Sequence, residues 1–395
     1  MSSLSGIHDV STSARGLPVA FWMDTLCIPV DPSALSYRKK AIHLLGKTFQ
    51  EANAVLVLDR ELEIVESANA TFVELGLRIL CSGWAKRLWT LQEAALASKA
   101  GGMDKLYFQM CDGPWLYRRF THSREMYADE RHFLQERDII TELETQIPSV
   151  QDMRQALDFS APFWNIYLAI EHRTTSKLED VPVCIASLLG KDLTTIVSAS
   201  DLEQRMTNFY ILMGEIPTGI LWSENIEKLS LRPFRWAPKA INGSLISNYM
   251  PGTGNMSCDA DGLHFKALGF ILAEGELERH GDGSVFPYIF RLVSGETGEA
   301  VGQLDIPLNR QKRIPLQRDL ALIFPPDAQI QNQTQNALVV VIESEIDDGI
   351  HSKELVCKTV GYLYSDLPKI PRPNVLPHTE FHGRMTADEQ RWCMS

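Results

Sequence analysis

Over the first sixty residues, runs of apolar side chains alternate with a segment whose apolar residues recur at helical spacing. From Val19 to Ile28 nearly every side chain is apolar, which is typical of a strand covered on both faces by helix layers. Asp31 and Pro32 then favour the start of a helix. Residues 54–58 predict a second buried strand. One side of the helix between the two strands would carry Ala41, Leu44, Leu45, Thr48 and Phe49.

The pattern continues with two helices and a third strand. Ala70–Cys81 and Trp84–Lys99 have helical periods, and Leu106–Met110 reads as a strand. Strands that alternate with helices predict an α/β fold with a doubly wound parallel sheet.

The predicted secondary structure changes twice more along the chain, first to helices and then to strands. Residues from Ser123 to Gly214 are mostly helical by pattern. Beyond Pro217, short β-branched and aromatic runs between turn residues predict a smaller, separate antiparallel β module, and Pro368–Pro377 suits an extended or disordered tail. The predicted divisions are a disordered 1–17, an α/β core at 18–122, a helical extension at 123–216, a β-rich domain at 217–367 and a tail at 368–395.

Composition excludes several classes of partner. The net charge of -12 opposes binding to nucleic acid or to anionic membranes, because both need clustered Lys and Arg. No apolar run approaches the roughly 20 residues of a membrane-spanning helix, and the N-terminus lacks the layout of a secretory signal. The seven cysteines never form Cys-x-x-Cys, so we expect a reducing, cytoplasmic location.

Familiar catalytic motifs are absent or incomplete. Gly46-Lys47-Thr48 resembles the end of a P-loop, but Ala41 stands where that motif needs glycine. No Cys/His set has zinc-like spacing, and Gly-x-Ser-x-Gly does not occur. We therefore predict no metal site.

Asp24 is the first candidate site residue. It lies towards the carboxyl end of the first predicted strand, and open α/β sheets bind ligands just outside such ends. A carboxylate there suits ribose hydroxyls or a base edge. The alternative is that Asp24 accepts hydrogen bonds from nearby loop amides, since a buried acid must find a partner.

Glu93 is the second candidate. It shares a helix face with Trp89, four residues earlier, while Trp84 falls on an ordinary core stripe. An acid beside an indole is partly desolvated, which fits it for general acid-base catalysis or for holding a sugar hydroxyl. The alternative is a salt bridge from Lys86 or Arg87 that only fixes the helix. Arg87 and Trp89 are candidate ligand contacts beside Glu93.

Three ordered blocks give the chain a resemblance to a known family. They are Trp22-Met23-Asp24-Thr25-Leu26-Cys27-Ile28, Phe49 to Leu58 with its Ala54-Val55-Leu56-Val57 run, and Trp84-Ala85-Lys86-Arg87-Leu88-Trp89-Thr90-Leu91-Gln92-Glu93. Residues 18 to 190 thereby resemble the fungal heterokaryon-incompatibility (HET) domain. A later stretch, Arg173 to Asp180 and on to Gly190, looks like the segment that closes such domains.

The resemblance implies a role in fungal non-self recognition, with programmed cell death after incompatible hyphae fuse. It also implies protein partners or self-association. The family is similar to Toll/interleukin-1-receptor (TIR) domains, which have a flavodoxin-like fold and whose enzymatic members cleave NAD with a catalytic glutamate. By that analogy NAD would be a substrate, with Glu93 as the catalytic acid and Asp24 positioning the ribose.

The chain departs from the family pattern at its start. Family members usually carry a strand with a Ser-x-x-Trp-type block before the Trp-Ile-Asp block, and the residues before Val19 carry no such block. The parallel sheet would then lack its first strand. This leaves a third reading, an inert or truncated paralogue that binds partners through its β domain.

Overall fold

The structure of the 395-residue chain is a computed structural model. It describes residues 20–97, 104–120, 133–148, 160–222, 226–241, 255–273, 289–294, 296–298, 300–305, 319–325, 337–347, 353–363, 378–386 and 390–395.

The chain divides into two compact units. The first comprises Met1–Phe209 with Ile241–Ser244, and the second comprises Tyr210–Ala240 with Leu245–Ser395. The first is mainly helical with a small sheet, and the second is built on a large sheet. The fold class is therefore mixed α/β.

Helices dominate the described part of the first unit. They are α1 (Asp24–Cys27), a 3₁₀ turn (Pro32–Ala34), α2 (Leu35–Glu51), α3 (Phe72–Cys81), α4 (Gly83–Lys86), α5 (Leu88–Ala97), α6 (Phe133–Gln146), α7 (Ser160–Glu171), α8 (Asp180–Leu188), α9 (Thr194–Ser198) and α10 (Leu202–Met213), of which α10 runs into the second unit. The predicted cap is present, because the Asp31 carboxylate accepts the Ser33 N–H at 2.7 Å. The expectation of helices between Ser123 and Gly214 is confirmed by α6 to α10 where that stretch is described.

The sheet of the first unit has three strands within the described residues: β1 (Val55–Val57), β2 (Leu106–Met110) and β3 (Gly113–Leu116). β1 and β2 are parallel, as predicted, with Val55 opposite Leu106. β3 returns antiparallel to β2 through a turn at Cys111 and Asp112. The described part of the unit thus contains one parallel pair and not a larger doubly wound sheet.

The predicted first strand is wrong in its described part. Asp24–Cys27 forms the one-turn helix α1, and Phe21 and Leu26 are 73% and 71% exposed. The turn satisfies its amides locally, with the Cys27 N–H on the Met23 carbonyl at 2.8 Å. An apolar run this short does not distinguish strand from helix by its pattern.

The core of the first unit forms around α5 and β2. Leu88, Leu91, Ala94, Ala95, Leu96 and Ala97 are all buried. Phe108 on β2 meets Trp84 edge to face, with ring centroids 5.3 Å apart. Each leucine or phenylalanine among them contributes roughly 1.5–3 kcal/mol on burial.

The second unit contains an eleven-stranded mixed sheet within its described residues. Its strands are β4 (Glu215–Pro217), β5 (Asn255–Asp259), β6 (Gly262–Lys266), β7 (Gly269–Leu272), β8 (Ile289–Ser294), β9 (Ala300–Asp305), β10 (Leu320–Ile323), β11 (Ala337–Ile346), β12 (Glu354–Leu363), β13 (His378–Met385) and β14 (Arg391–Met394). Their order is β4-β5-β6-β14-β12-β11-β10-β7-β13-β8-β9. A 3₁₀ turn, Thr218–Trp222, follows β4.

Two expectations for this unit need correction. The sheet is not wholly antiparallel, because β14 pairs in parallel with β12 and β13 with β8. The predicted tail from 368 is also shorter than expected: Pro368–Pro377 lies outside the described residues, but β13 and β14 belong to the sheet. Trp392 is fully buried and donates its indole N–H to the Ala267 carbonyl at 2.9 Å. The prolines before it gave no indication that the last residues of the chain pack into the sheet.

No helix in the described ranges has the length and apolar character needed to cross a membrane.

Candidate functional site

A cavity of about 380 Å³ opens in the first unit. It lies among α1, α2, the start of α5 and the segment from Thr174 to Asp180. Asp24, Arg87, Trp89 and Glu93 all line it. The structure therefore brings together the four side chains that the sequence indicates as candidates.

A break in the predicted helix at Arg87 shapes this cavity. The expected Trp84–Lys99 helix is two helices, α4 and α5, and residues 98–103 lie outside the described residues. Between them Arg87 is extended, with φ −86° and ψ 138°, and forms a parallel bridge with Thr174. The Thr174 N–H donates to the Lys86 carbonyl at 2.7 Å, and the Leu88 N–H donates to the Thr174 carbonyl at 3.0 Å. A contact 87 residues away along the chain thus overrides the local helical period.

Arg173 holds this break in place. Its guanidinium is buried and donates to the carbonyls of Arg87, Ala169 and Gln146 at 3.0, 3.0 and 2.8 Å. It also donates to the Thr90 hydroxyl at 2.9 Å and lies 6.0 Å from the centre of the Trp84 ring. Burial lowers the pKa of Arg173 to about 10, so the side chain stays cationic at neutral pH.

Trp89 and Glu93 lie four positions apart on α5, as expected, but the indole that hydrogen-bonds to Glu93 is that of Trp84. The Trp84 indole N–H donates to Glu93 Oε2 at 3.2 Å. Trp89 instead donates to Asp180 Oδ2 at 2.8 Å. The break at Arg87 is the reason, because it changes the angular relation between Trp84 and α5 from that of one continuous helix.

The surroundings of Glu93 favour its protonated form. Desolvation raises the pKa of Glu93 above its ordinary value, and this effect outweighs the Trp84 hydrogen bond and the charges of Arg87 and Arg173, which lower it. Asp24 adds to the rise through like charge. Within the described residues Glu93 forms no ion pair with Lys86 or Arg87, so the predicted alternative of a helix-fixing salt bridge does not occur.

Asp24 reaches the cavity from a helical turn and not from a strand end. Its Oδ1 accepts the Thr25 N–H at 2.7 Å, so the alternative of a bond to a nearby loop amide is realised. Trp22 anchors the turn by packing edge to face against Phe49 on α2, with centroids 5.4 Å apart. Asp24 can contact a ligand in the cavity while it keeps this local bond.

Several lining residues were not selected as candidates from the sequence. Arg38 lies on α2 in a stripe with Ile42, Leu45 and Phe49, spaced by four, three and four positions. A single arginine on an otherwise apolar helix face is visible in the sequence and could have indicated a site residue. Gln92 is buried, and its Oε1 has no hydrogen-bond partner. Asp180 offered no local signal, because its indole partner is 91 positions away.

Comparison with known proteins assigns the chain to no family. No protein-family model matches the chain, and neither curated proteins nor solved structures gave a match. Across the described residues, no group of three or more His, Cys, Asp or Glu side chains is placed to hold a metal ion. Fold and site together define a mixed α/β protein with an acid- and arginine-lined cavity of small-molecule size.

We expect Arg173→Met to lower the free energy of unfolding by at least about 2 kcal/mol, because the Ala169 and Gln146 carbonyls lose the guanidinium that donates to them, at roughly 1–3 kcal/mol each. Chemical denaturation of the purified chain measures this. Arg78→Met is the matched control: Arg78 forms a half-exposed pair with Glu74 one helical turn away, so its loss should cost only about 0.3–0.5 kcal/mol. Equal effects of the two substitutions would show that Arg173 does not organise the site.

Proposed function

We propose that the first unit is a HET-type signalling module that acts in fungal non-self recognition and cell death through its cavity. One observation supports this most. Each of the four segments on which the HET resemblance rests contributes to the cavity wall: Trp22 and Asp24 from the first, Phe49 from the second, Glu93 from the third and Thr174 from the last.

Such convergence favours a common role for the segments. They are separated by tens of residues along the chain, and parts that mattered only for local folding would have no reason to meet at one opening. Placing polar groups at that opening is also costly, since a partly buried carboxyl such as Glu93 loses hydration. A ligand that contacts these groups would account for both features.

A second candidate function is glycohydrolase cleavage of a nicotinamide nucleotide. The observation that favours it is Glu93, a cavity carboxyl with a raised pKa and one indole hydrogen bond. In the reaction, a water oxygen bonds to the ribose C1′ while the bond from C1′ to the pyridinium nitrogen breaks. The bonding pair leaves with neutral nicotinamide, which needs no added proton. Glu93 would therefore accept the proton of the attacking water, while Asp24 would hold the ribose hydroxyls.

Inducible expression of the full chain in a filamentous fungus tests the signalling proposal. We expect growth arrest with the wild-type sequence and its loss with Glu93→Ala, because the substitution removes a cavity carboxyl. Glu63→Ala is the control, since Glu63 is exposed and does not line the cavity. If immunoblots show equal expression and the wild type does not arrest growth, or Glu93→Ala arrests it equally, the proposal fails.

Nicotinamide release by the purified chain tests the enzymatic candidate. With NAD as substrate we expect turnover that falls by about 10²–10⁴-fold in Glu93→Gln, the usual range for loss of a general base. The active form is the carboxylate, so turnover should fall as the pH drops through the raised pKa of Glu93. Unchanged turnover in a folded Glu93→Gln protein would remove Glu93 from the mechanism.

A further inference from the structure

Two arginines line the cavity, and their guanidinium groups form no hydrogen bond or close ion pair within the described residues. Arg38 is on α2 and Arg87 is at the junction of α4 and α5. Arg87 is linked to Glu93 by a longer-range attraction. Arg78, by contrast, holds the Glu74 carboxylate at 2.8 Å, and Arg173 is satisfied by carbonyls and a hydroxyl.

The backbone of Arg87 is fixed on both sides. Its N–H donates to the Trp84 carbonyl at 3.2 Å. Its own carbonyl accepts from Arg173 Nη1 at 3.0 Å and from the Thr90 hydroxyl at 2.6 Å. These bonds fix the point on the cavity wall from which the Arg87 side chain extends.

Arg38 is held at the cavity by the helix that carries it. Leu45 and Phe49, on the same face of α2, are each 7% exposed and belong to the core. Because these two residues fix the rotation of α2, Arg38 is kept on the cavity side, seven and eleven positions before them. Helix α2 and the extended residue between α4 and α5 thus bring one cation each to a single opening.

Hydroxyl groups accompany the arginines. Thr174 and Ser176 line the same cavity. The Thr174 hydroxyl donates to the Lys86 carbonyl at 3.2 Å, while no hydrogen bond of the Ser176 side chain occurs within the described residues. Guanidinium and hydroxyl donors together are the groups that proteins use to bind phosphate oxygens.

The acids of the cavity have polar partners of their own. The Asp180 carboxylate accepts the Trp89 indole N–H, and Asp24 accepts the Thr25 N–H. Because burial raises the pKa of Glu93, its carboxyl loses its charge at a higher pH than an ordinary glutamate does. A ligand with an anionic end for the two arginines and hydroxyl groups for the carboxyls of Asp24 and Glu93 would suit this cavity.

We propose that Arg38, Arg87 and Ser176 form an anion subsite that binds the phosphate or diphosphate of a nucleotide ligand, beside the part of the cavity that Asp24 and Glu93 line. The assignment rests on the proposed function of this cavity and adds to it the residues that hold the anionic part of the ligand. The subsite binds the anion whether or not the cavity breaks a glycosidic bond.

Calorimetric titration of the full-length chain at constant ionic strength tests this subsite. The probes are ADP-ribose, which carries a diphosphate and no nicotinamide, inorganic pyrophosphate, and nicotinamide riboside, which carries no phosphate. We expect ADP-ribose to bind, and its affinity to fall at least about tenfold in Arg38→Gln/Arg87→Gln. Lys39→Gln/Lys86→Gln is the matched control, since it removes the neighbouring cations, which do not line the cavity.

The outcomes separate the subsite from the catalytic candidate. ADP-ribose binding that depends on the two arginines supports the subsite even if NAD is never hydrolysed. Pyrophosphate binding with the same dependence shows that the anion alone suffices, whereas binding of ADP-ribose only shows that the nucleoside is needed as well. Equal ADP-ribose affinity in the arginine and lysine double variants, with circular dichroism showing both folded, overturns the proposal. So does a wild-type chain that binds ADP-ribose no more tightly than nicotinamide riboside.

Discussion

The buried Arg173 guanidinium is the interaction on which the cavity depends. It joins the ends of α6 and α7 to the broken helix at Arg87. A buried cation is costly unless its donors are satisfied, and here four acceptors surround it. This combination fixes one arrangement of four chain segments, because any other would leave either the charge or the carbonyls without a partner.

The position of Glu93 follows from the same constraint. Since Arg87 leaves the helix to pair with Thr174, α4 and α5 are offset, and the Trp84 indole reaches the Glu93 carboxyl. Trp84 itself is only 2% exposed and packs on Phe108, so its N–H needs an acceptor. One structural hydrogen bond thereby holds an acid at the wall of the cavity, where burial raises its pKa.

Local patterns predicted those parts of the fold that depend on local physics. The Asp31 cap, α2, α3, β1 and β2 follow from caps and apolar periodicity. Local patterns did not predict the break at Arg87 or the hydrogen bond from Trp89 to Asp180. Both depend on residues that are distant along the chain, Thr174 in the first case and Asp180 in the second. The apolar run before Ile28 was assigned to the wrong element because amphipathic signals are weak in so short a segment. The four candidate side chains were nevertheless found from sequence, because isolated charges among large apolar residues are unusual and here lie at one opening.

Packing around Arg173 places a partly desolvated carboxyl, that of Glu93, at the cavity wall. An NMR titration of protein labelled with ¹³C at the glutamate side-chain carboxyl, with the Glu93 signal assigned by its loss in Glu93→Gln, measures this directly. The structure predicts a pKa for Glu93 above the ordinary value of 4.5. A pKa at or below 4.5 would contradict it, because the carboxyl would then be hydrated or tightly ion-paired.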